Sequence, residues 1–306
     1  MTSVRSTRVL KISVIIACRN EERTLAETLE GVAAQEWDQP WEVIFADNGS
    51  TDGSRGVFER FAAGRPDWRL IDAGGKAGKS YAMNLAMTAA RAPAAVFCDA
   101  DDVPTAGWLA TMGRALETHP FVGCRAEFDR LNAGWVRNYR RYGANESGLG
   151  RTVYPPHADY TSGNCLGMTK AMFLATGRFD EEIFALEDID FCVRAHLAGF
   201  KLEFVPEAVM HVRFRDSLPG LARQNYNYTK GLICLTKRYR EHQPKGWQRS
   251  RIRRNLKAWG ALLPEYYAVT FGARKDDPLA KAVHRWKRAG EAGKIAGMLR
   301  YRSLPP

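Results

Sequence analysis

The sequence predicts an α/β fold in which helices cover both faces of a mostly parallel central sheet. Short apolar runs alternate with amphipathic helical stretches through the first hundred residues. Each apolar run ends in polar, turn-forming residues, as strands of a parallel sheet do before a crossover. With 306 residues, the chain is long enough for a large core and an appendage. Ligands of such folds bind beyond the carboxyl ends of the strands.

Hydrophobic periodicity places the elements along the chain. In the first hundred residues, strands and helices are predicted in alternation at residues 11–17, 22–35, 41–46, 54–63, 68–71, 80–91 and 94–98. After residue 120 the alternation loosens, and a strand, two helices and a strand are predicted at residues 121–128, 169–176, 188–198 and 201–205. Residues 130–160 are rich in Arg, Tyr and Gly and are predicted to form an irregular segment. Pro206 is expected to end the last strand.

The last third of the chain is strongly basic. Residues 211–306 carry 22 Lys and Arg against 6 Asp and Glu, although the whole chain has a net charge of only +11. From Leu218 onward we predict helices that are broken at Pro244, Pro264 and Pro278. Such a surface suits lipid headgroups, nucleic acid or a charged glycan, or is simply a solvated helical face. A non-enzymatic binder of anionic polymers is therefore one alternative.

Composition and cysteine spacing indicate the cellular compartment in which the protein works. No apolar run approaches the roughly 20 residues of a membrane span. Residues 12–17 form too short an apolar block for a signal peptide. The six cysteines lie far apart and include no C-x-x-C pair, which favours free thiols in a reducing compartment. We therefore expect a cytoplasmic protein.

The acidic end of the fourth predicted strand is the most informative motif. Asp99, Asp101 and Asp102 follow a buried apolar run. Carboxylates in this spacing are suitable ligands for a hard divalent cation, which can also hold a phosphate. The motif therefore predicts a site for a nucleotide or a sugar nucleotide. The competing interpretation is an acidic turn in which Asp101 or Asp102 caps a helix that starts near Pro104.

Two polar loops follow other strands of the same predicted sheet. In the segment DNGSTDG, the carboxylate of Asp47 can accept a hydrogen bond from a base N–H, such as uracil N3–H, or form an Asx turn. The segment AGGKAGKS offers Lys76 or Lys79 to a diphosphate and matches a loose phosphate-loop pattern. A true phosphate loop follows the first strand, whereas this segment follows the third. An NTPase or kinase that uses Lys79 and Ser80 is therefore the weaker alternative.

Further chemical groups occur in the second half of the chain. Glu187 and Asp188 start a predicted helix, where the helix dipole alone favours acidic residues. A carboxylate there can also act as the general base for a hydroxyl nucleophile. His211 follows the last predicted strand and can complete a metal site with Asp101, although a lone histidine is more often a packed or surface residue.

Taken in this order, the motifs resemble those of family 2 glycosyltransferases with the GT-A fold. The matching segments read SVIIACRNEE, VIFADNGSTDGS, GKAGKSYAMNLAM, VFCDADDVP, YTSGNCLGM, GRFDEEIFALEDIDFCVRAHLAGF and VPEAVMHV. The resemblance implies a Rossmann-like, mostly parallel sheet in a catalytic domain over residues 1–215. Its nucleotide-binding half would span about residues 10–102 and its acceptor half about 103–215. Residues 216–306 would form a basic helical C-terminal region.

The resemblance also implies roles for individual residues. The nucleotide-binding positions would be Ala17, Cys18, Arg19, Glu21, Asp47, Lys79, Asp99, Ala100 and Asp101. The ligands of a Mn²⁺ or Mg²⁺ ion would be Asp101 and His211. The donor and acceptor pocket would include Gly163 and Asn164. Asp188 would be the catalytic base, with Glu187 orienting a sugar hydroxyl.

The segment after the histidine looks like the arginine–glutamine–tyrosine helix of some bacterial polysaccharide glycosyltransferases. There, Arg223, Gln224 and Tyr228 would contact the diphosphate or the acceptor, or would simply pack in a helix. Processive family members carry Q-x-x-R-W and membrane helices, whereas position 282 is alanine and no apolar span exists. We therefore expect transfer of one sugar per encounter. In a separate departure, this chain has alanine at position 17, where the family often has proline.

The implied reaction is metal-dependent, inverting sugar transfer in polysaccharide or glycolipid synthesis. The expected partners are a nucleotide sugar, with uridine diphosphate as its nucleotide, and a glycan or lipid-linked acceptor, but no nucleic acid. Peripheral contact with the inner membrane face would use aromatic residues of the basic tail, namely Trp247, Trp259, Tyr266, Tyr267 and Trp286. The same residues would equally suit a small helical core or an oligomer contact.

Overall fold

The computed structural model describes residues 9–134, 145–245, 247 and 264–302. The strands are β1 (Ile12–Cys18), β2 (Trp41–Asp47), β3 (Trp68–Asp72), β4 (Ala94–Asp99), β5 (Val103–Pro104), β6 (Phe121–Glu127), β7 (Gly150–Arg151), β8 (Asp159–Tyr160), β9 (Leu166–Thr169) and β10 (Glu203–His211). The helices are α1 (Leu25–Ala33), α2 (Ser54–Ala62), α3 (Lys79–Ala89), α4 (Trp108–Thr118), α5 (Lys170–Ala175), α6 (Glu187–Leu197), α7 (Leu218–Arg238) and α8 (Pro278–Tyr301). Residues 264–270 are also helical, and Gly163–Cys165 and Arg240–His242 form 3₁₀ turns.

Eight of the strands form one mixed sheet in the order β3-β2-β1-β4-β9-β6-β10-β5. The first four in this order are parallel to one another, as are β6 and β10. Register pairs Cys18 with Asp47 and Ala17 with Asp99, so the carboxyl ends of β1, β2 and β4 lie side by side. The predicted α/β fold with a mostly parallel sheet is therefore confirmed, and the polar segments meet at one edge.

Helices pack on both faces of this sheet. On one face, α1, α2 and α4 bury apolar side chains against the strands, and Phe45 of β2 stacks on Phe58 of α2 with 4.5 Å between ring centroids. On the other face, α3, α5 and α6 do the same, with Phe191 of α6 packed 4.7 Å from Phe179. Because both faces are covered, the strand ends that carry the polar residues are rigidly held.

Two expectations about proline are wrong. Pro206 lies inside β10 and does not end it, because the register with β6 shifts between Val205 and Val209. A proline at such a bulge breaks no ladder hydrogen bond. Pro104 belongs to the short strand β5, and the following helix begins only at Trp108. The acidic residues before Pro104 therefore do not cap a helix.

Strand β9 was not predicted. It has only four residues, Leu166–Thr169, and runs antiparallel between β4 and β6. So short an apolar run, with a glycine in it, carries little periodicity. The insertion of β9 has a functional consequence, because it places the preceding turn, Gly163–Cys165, beside the end of β4.

The C-terminal helices α7 and α8 pack tightly and run in the same direction. The side-chain amide of Asn225 donates to the carbonyl of Trp286 at 2.9 Å, and Thr229 Oγ1 donates to the carbonyl of Gly290 at 2.9 Å. Gly293 faces α7 so closely that an added Cβ would lie 2.3 Å from the carbonyl oxygen of Tyr226. No helix in the described part of the chain is long and apolar enough to cross a bilayer.

We predict that Gly293→Ala destabilises the protein, although alanine is normally the better helix former by about 1 kcal/mol. Its Cβ would meet backbone that cannot move freely, and overpacking of this kind costs about 1–3 kcal/mol. Chemical denaturation would measure the change. The matched control is Gly56→Ala in α2, a helical glycine whose added Cβ would meet only the end of the Arg60 side chain, at 3.7 Å. Equal stability of the two variants would contradict the tight helix contact.

Candidate active site

A cavity of about 860 Å³ opens at the carboxyl ends of β1 and β4. Its walls come from the strand ends, from the first residues of α3 and α6, from the turn Gly163–Cys165, and from α7 and α8. Residues from most of the chain length therefore meet in one space. This is the position at which ligands bind in parallel α/β sheets.

Three carboxylates gather on one side of the cavity. Asp99, Asp101 and Asp102 each offer a ligand oxygen, and these oxygens lie within 4.8 Å of one another. Asp102 is buried, and its two oxygens accept from the backbone N–H of Arg213 at 2.8 Å and from Asn164 Nδ2 at 2.5 Å. These bonds hold the carboxylate group in a fixed orientation.

The carboxylate cluster is electrostatically strained. Burial, together with the charges of Asp99 and Glu21, raises the pKa of Asp101 to about 6. Burial and the charge of Asp101 also raise the pKa of Asp102 well above its usual range. A divalent cation would relieve this repulsion, and a set of oxygen donors alone suits a hard ion such as Mg²⁺ or Mn²⁺. The residues present therefore fit a metal ion.

Lys79 lies between this cluster and a second acidic pair. Its Nζ is 2.6 Å from Asp99 Oδ1. Burial lowers the pKa of Lys79, but the charges of Asp99 and Glu187 outweigh that effect and leave the pKa raised. Lys79 is therefore a permanent cation in the cavity. Lys76 instead bonds Glu181 at 3.0 Å and does not line the cavity.

The glycine-rich loop before α3 does not form a phosphate cradle. Asn48 ties the loop from inside: its Nδ2 donates to the carbonyls of Ala73 and Lys76, and its Oδ1 accepts from the N–H of Gly78. Ser80 is buried at the start of α3. These contacts give no support to the NTPase alternative.

Glu187 and Asp188 form the second acidic pair. Leu186, with φ 65°, turns the chain so that both residues begin α6 at the cavity wall. Asp188 Oδ2 accepts from the N–H of Gly163 at 2.8 Å, and Oδ1 accepts from the N–H of Ile189 at 2.8 Å.

The acidic pair is poised for proton transfer. Burial, aided by the neighbouring Asp188 charge, raises the pKa of Glu187 to about 7. Burial also raises the pKa of Asp188, although Lys79 partly offsets the effect. A carboxylate whose pKa approaches neutrality is suited to general base catalysis.

The structure brings most of the candidate residues into this cavity. The candidates that line it are Ala17, Cys18, Arg19, Glu21, Lys79, Asp99, Ala100, Asp101, Gly163, Asn164, Glu187, Asp188, Gln224 and Tyr228. Their roles remain predictions.

Three candidates, Asp47, Arg223 and His211, are not among the lining residues. Asp47 Oδ1 accepts from the N–H of Ser50 at 3.0 Å. This bond is the Asx turn that the sequence offered as the alternative to base recognition.

His211 ends β10, where it pairs with Val103 of β5, two residues after Asp101 in the chain. Strand register pairs His211 with Glu127 of β6, and its Nδ1 lies 2.5 Å from Glu127 Oε2. Among the described residues, the only group of three or more acidic, histidine or cysteine side chains arranged to hold a metal is the three-aspartate cluster. That His211 completes the metal site with Asp101 stays a prediction.

Several cavity residues were missed in the sequence. Arg215 Nη1 lies 3.3 Å from Glu21 Oε1 and 3.8 Å from Asp101 Oδ2, so it is a second cation next to the carboxylate cluster, besides Lys79. Arginines at alternate positions directly after the last strand were a usable signal. Trp286 of α8 also lines the cavity, whereas the sequence left a membrane surface, a helical core and an oligomer contact open for it. Only the packing of α8 on α7 reveals its position.

Comparisons with known proteins agree with this geometry. The model of "Glycosyl transferase family 2" matches residues 13–173, and that of "Glycosyl transferase family group 2" matches residues 96–274. An uncharacterized glycosyltransferase of Bacillus subtilis, YfnE, is 39% identical over 94 residues, covering 30% of this chain and 23% of that protein. The poly-beta-1,6-N-acetyl-D-glucosamine synthase of Staphylococcus epidermidis is 24% identical over 226 residues, 72% of this chain and 54% of that protein. The chain thus spans about half or less of these relatives.

Solved structures resemble the whole described fold. The mannosyltransferase PcManGT from Pyrobaculum calidifontis, in complex with GDP-Man and Mn²⁺, superposes with a TM-score of 0.65 at 19% identity, over 96% of this chain and 88% of that one. A fragment of S. aureus TarS in complex with UDP-GlcNAc gives a TM-score of 0.51 at 16% identity, over 94% and 92%. At such identities the likeness concerns the fold alone, and it confirms the predicted GT-A architecture.

Proposed function

The chain belongs to glycosyl transferase family 2, and from this premise we propose that it moves one sugar from a nucleotide sugar to an acceptor hydroxyl. One observation carries the proposal. The cluster Asp99, Asp101 and Asp102 and the pair Glu187 and Asp188 line the same cavity, with a lysine between them. The three-aspartate cluster is suited to hold a metal-bound diphosphate, and the Glu187–Asp188 pair is suited to accept a proton from the nucleophile.

The donor is proposed to lie along the ends of β1 and β4. Cys18, Arg19 and Glu21 would surround its base and ribose, and Asp101 with its neighbours would hold Mn²⁺ or Mg²⁺. When bound, that ion offsets the negative charge that develops on the departing nucleoside diphosphate. Lys79 and Arg215 would supply the remaining positive charge from the protein. We propose uridine as the base of the donor nucleotide.

Asp188 is proposed to act as the catalytic base. The acceptor oxygen attacks the anomeric carbon as the bond from that carbon to the diphosphate oxygen breaks, and the hydroxyl proton moves to the Asp188 carboxylate. Attack from the face opposite the leaving group inverts the anomeric centre. The N–H of Gly163 fixes the orientation of this carboxylate. Glu187 would orient the reacting hydroxyl.

The acceptor is proposed to enter along the wall formed by α7 and α8. Gln224, Tyr228 and Trp286 line this side of the cavity. A mixed aromatic and amide surface suits a sugar ring, because the ring face is apolar while its edge carries hydroxyls. We therefore propose a glycan or lipid-linked acceptor, in polysaccharide or glycolipid synthesis.

Calorimetric titration of the purified protein with UDP, GDP, dTDP and ATP, with Mn²⁺ or with EDTA, tests the proposal. Metal-dependent binding of UDP would support both the transferase and the uridine assignment. Metal-dependent binding of GDP instead would keep the transferase and overturn the uridine assignment. Preferred binding of ATP that requires Lys79 would favour the phosphate-loop alternative. Absence of any nucleotide binding would contradict the proposal.

Glu187→Gln is expected to stabilise the fold at pH 8 and to lower turnover. The folded state raises the pKa of Glu187 from 4.5 to about 7, so ionising this group above pH 7 opposes folding. Removing the charge should add about 1–3 kcal/mol at pH 8, and this gain should vanish as the pH falls below 4.5. Urea denaturation at several pH values measures it. The control is Glu182→Gln, the same change at an exposed position. A loss of stability of Glu187→Gln at pH 8, relative to this control, would refute the burial argument.

A further inference from the structure

The outer face of α8 is an exposed stripe. Six exposed residues recur at alternating intervals of four and three along the helix, namely Lys281, Arg285, Arg288, Ala292, Ile295 and Leu299. This is the spacing of one helical face. Gly290, Gly293 and the cavity residue Trp286 lie on the side of the helix that packs on α7. The stripe therefore faces away from the active site.

The stripe is basic in its first half and apolar in its second. No Asp or Glu occupies any of its six positions. Within the described part of the chain, neither Lys281 nor Arg285 has an acidic partner. Ile295 is 45% exposed and Leu299 is 78% exposed, although both are large aliphatic residues.

Two carboxylates beside the stripe are paired with lysines that lie outside it. Glu291 accepts from Lys294 at 2.7 Å, and Glu265 accepts from Lys287 at 2.9 Å. These two carboxylates therefore do not cancel the positive charge of the stripe, which acts on a ligand that approaches this face.

Two more exposed aromatic residues belong to the segment that leads into α8. Tyr267 and Phe271 are 67% and 65% exposed, and their ring centroids lie 5.5 Å apart. The exposed Arg274 and Lys275 follow directly. Exposed apolar and basic side chains therefore lie together a second time in the same C-terminal region.

We propose that the outer face of α8 docks the protein on a bilayer surface that contains anionic lipids. Exposed Lys and Arg would approach the lipid phosphates, and Ile295 and Leu299 would enter the boundary between headgroups and acyl chains. This occupant uses both halves of the stripe. A polyanion would need only the basic half, and a second copy of the chain would bring like charges together.

Docking on this face would leave the catalytic cavity on the other side of α8. Trp286 lies one helix diameter, about 10 Å, from the outer face. An acceptor anchored in the bilayer would then have to reach only around a single helix. The inference does not depend on which sugar is transferred, because docking is measured without donor or acceptor.

Co-sedimentation with phosphatidylcholine vesicles, with and without phosphatidylglycerol, tests the inference on the full chain. Binding is expected only with phosphatidylglycerol, and it should fall as salt is raised. Lys281→Gln with Arg285→Gln should reduce partitioning about tenfold or more. Ile295→Gln with Leu299→Gln should reduce it by a similar factor without changing the net charge.

The matched control is Arg23→Gln with Lys201→Gln, which removes the same charge from side chains that are 89% and 83% exposed elsewhere. It should partition like the unaltered protein. Equal binding to neutral vesicles, or equal loss in the control, would overturn the inference. So would normal vesicle binding of the Ile295 and Leu299 variant, which would indicate a polyanion site. A fall in oligomeric mass of that variant, without lipid binding of the parent protein, would instead assign the stripe to self-association.

Discussion

Asp188→Asn is expected to lower the turnover number by about 10²–10⁴-fold while leaving the fold and nucleotide binding intact. The amide keeps the shape of the side chain, and its oxygen can still accept from the N–H of Gly163, so only the local bond from the N–H of Ile189 is lost. It cannot take a proton from the acceptor hydroxyl. Steady-state kinetics, thermal unfolding and calorimetry with UDP and Mn²⁺ together separate loss of the base from loss of structure.

The control for this substitution is Asp276→Asn, the same change at an exposed position before α8. It should retain full turnover. Near-normal activity of Asp188→Asn would show that another group takes the proton, and Glu187 would be the first to examine. The pH profile is a second check: because burial raises the pKa values of both carboxyl groups, turnover should fall as the pH drops through about 7, where Glu187 becomes protonated.

Asp101→Asn is expected to abolish metal-dependent nucleotide binding and, with it, activity. Asp101 lies in the three-carboxylate cluster, and burial raises its pKa to about 6, so a bound cation should relieve an unfavourable charge there. A ligand that binds only the folded state raises the unfolding temperature. Mn²⁺ should therefore stabilise the unaltered protein and not the variant. EDTA should remove activity, and added Mn²⁺ should restore it.

Asp159→Asn, an exposed aspartate that is paired with Arg151, is the control for nonspecific metal binding. It should keep the full thermal shift with Mn²⁺. An equal shift in Asp101→Asn and in the unaltered protein would place the metal elsewhere. Asp102 is the poorer position for this test, because it is buried and accepts from Arg213 and Asn164, so its substitution would also disturb the fold.

The first half of the sheet could be predicted because each strand is a continuous apolar run closed by turn-forming residues. The same rule predicts where polar side chains meet, which is why Cys18, Asp99 and Asp101 all line the cavity. The second half could not be predicted as well. Strand β9 is too short to show periodicity, and the bulge at Pro206 depends on a neighbouring strand.

The surroundings of two residues follow from contacts that no local pattern contains. His211 was expected near Asp101, and strand register also sets Glu127 beside it. Trp286 was assigned to a membrane surface, a helical core or an oligomer contact, and the fit of α8 against α7 turns it into the cavity. Both outcomes depend on long-range packing, which a single sequence does not display.

The close fit of α8 on α7 implies that different parts of the chain serve the donor and the acceptor. The groups proposed for metal, nucleotide and proton transfer lie no later than Arg215, whereas Gln224, Tyr228 and Trp286 reach the cavity from the helices that follow. Gly290 and Gly293 hold the two helices in close contact, so the wall forms a single block. Chimeras that replace residues beyond 217 should change which acceptors are used while the donor preference is retained.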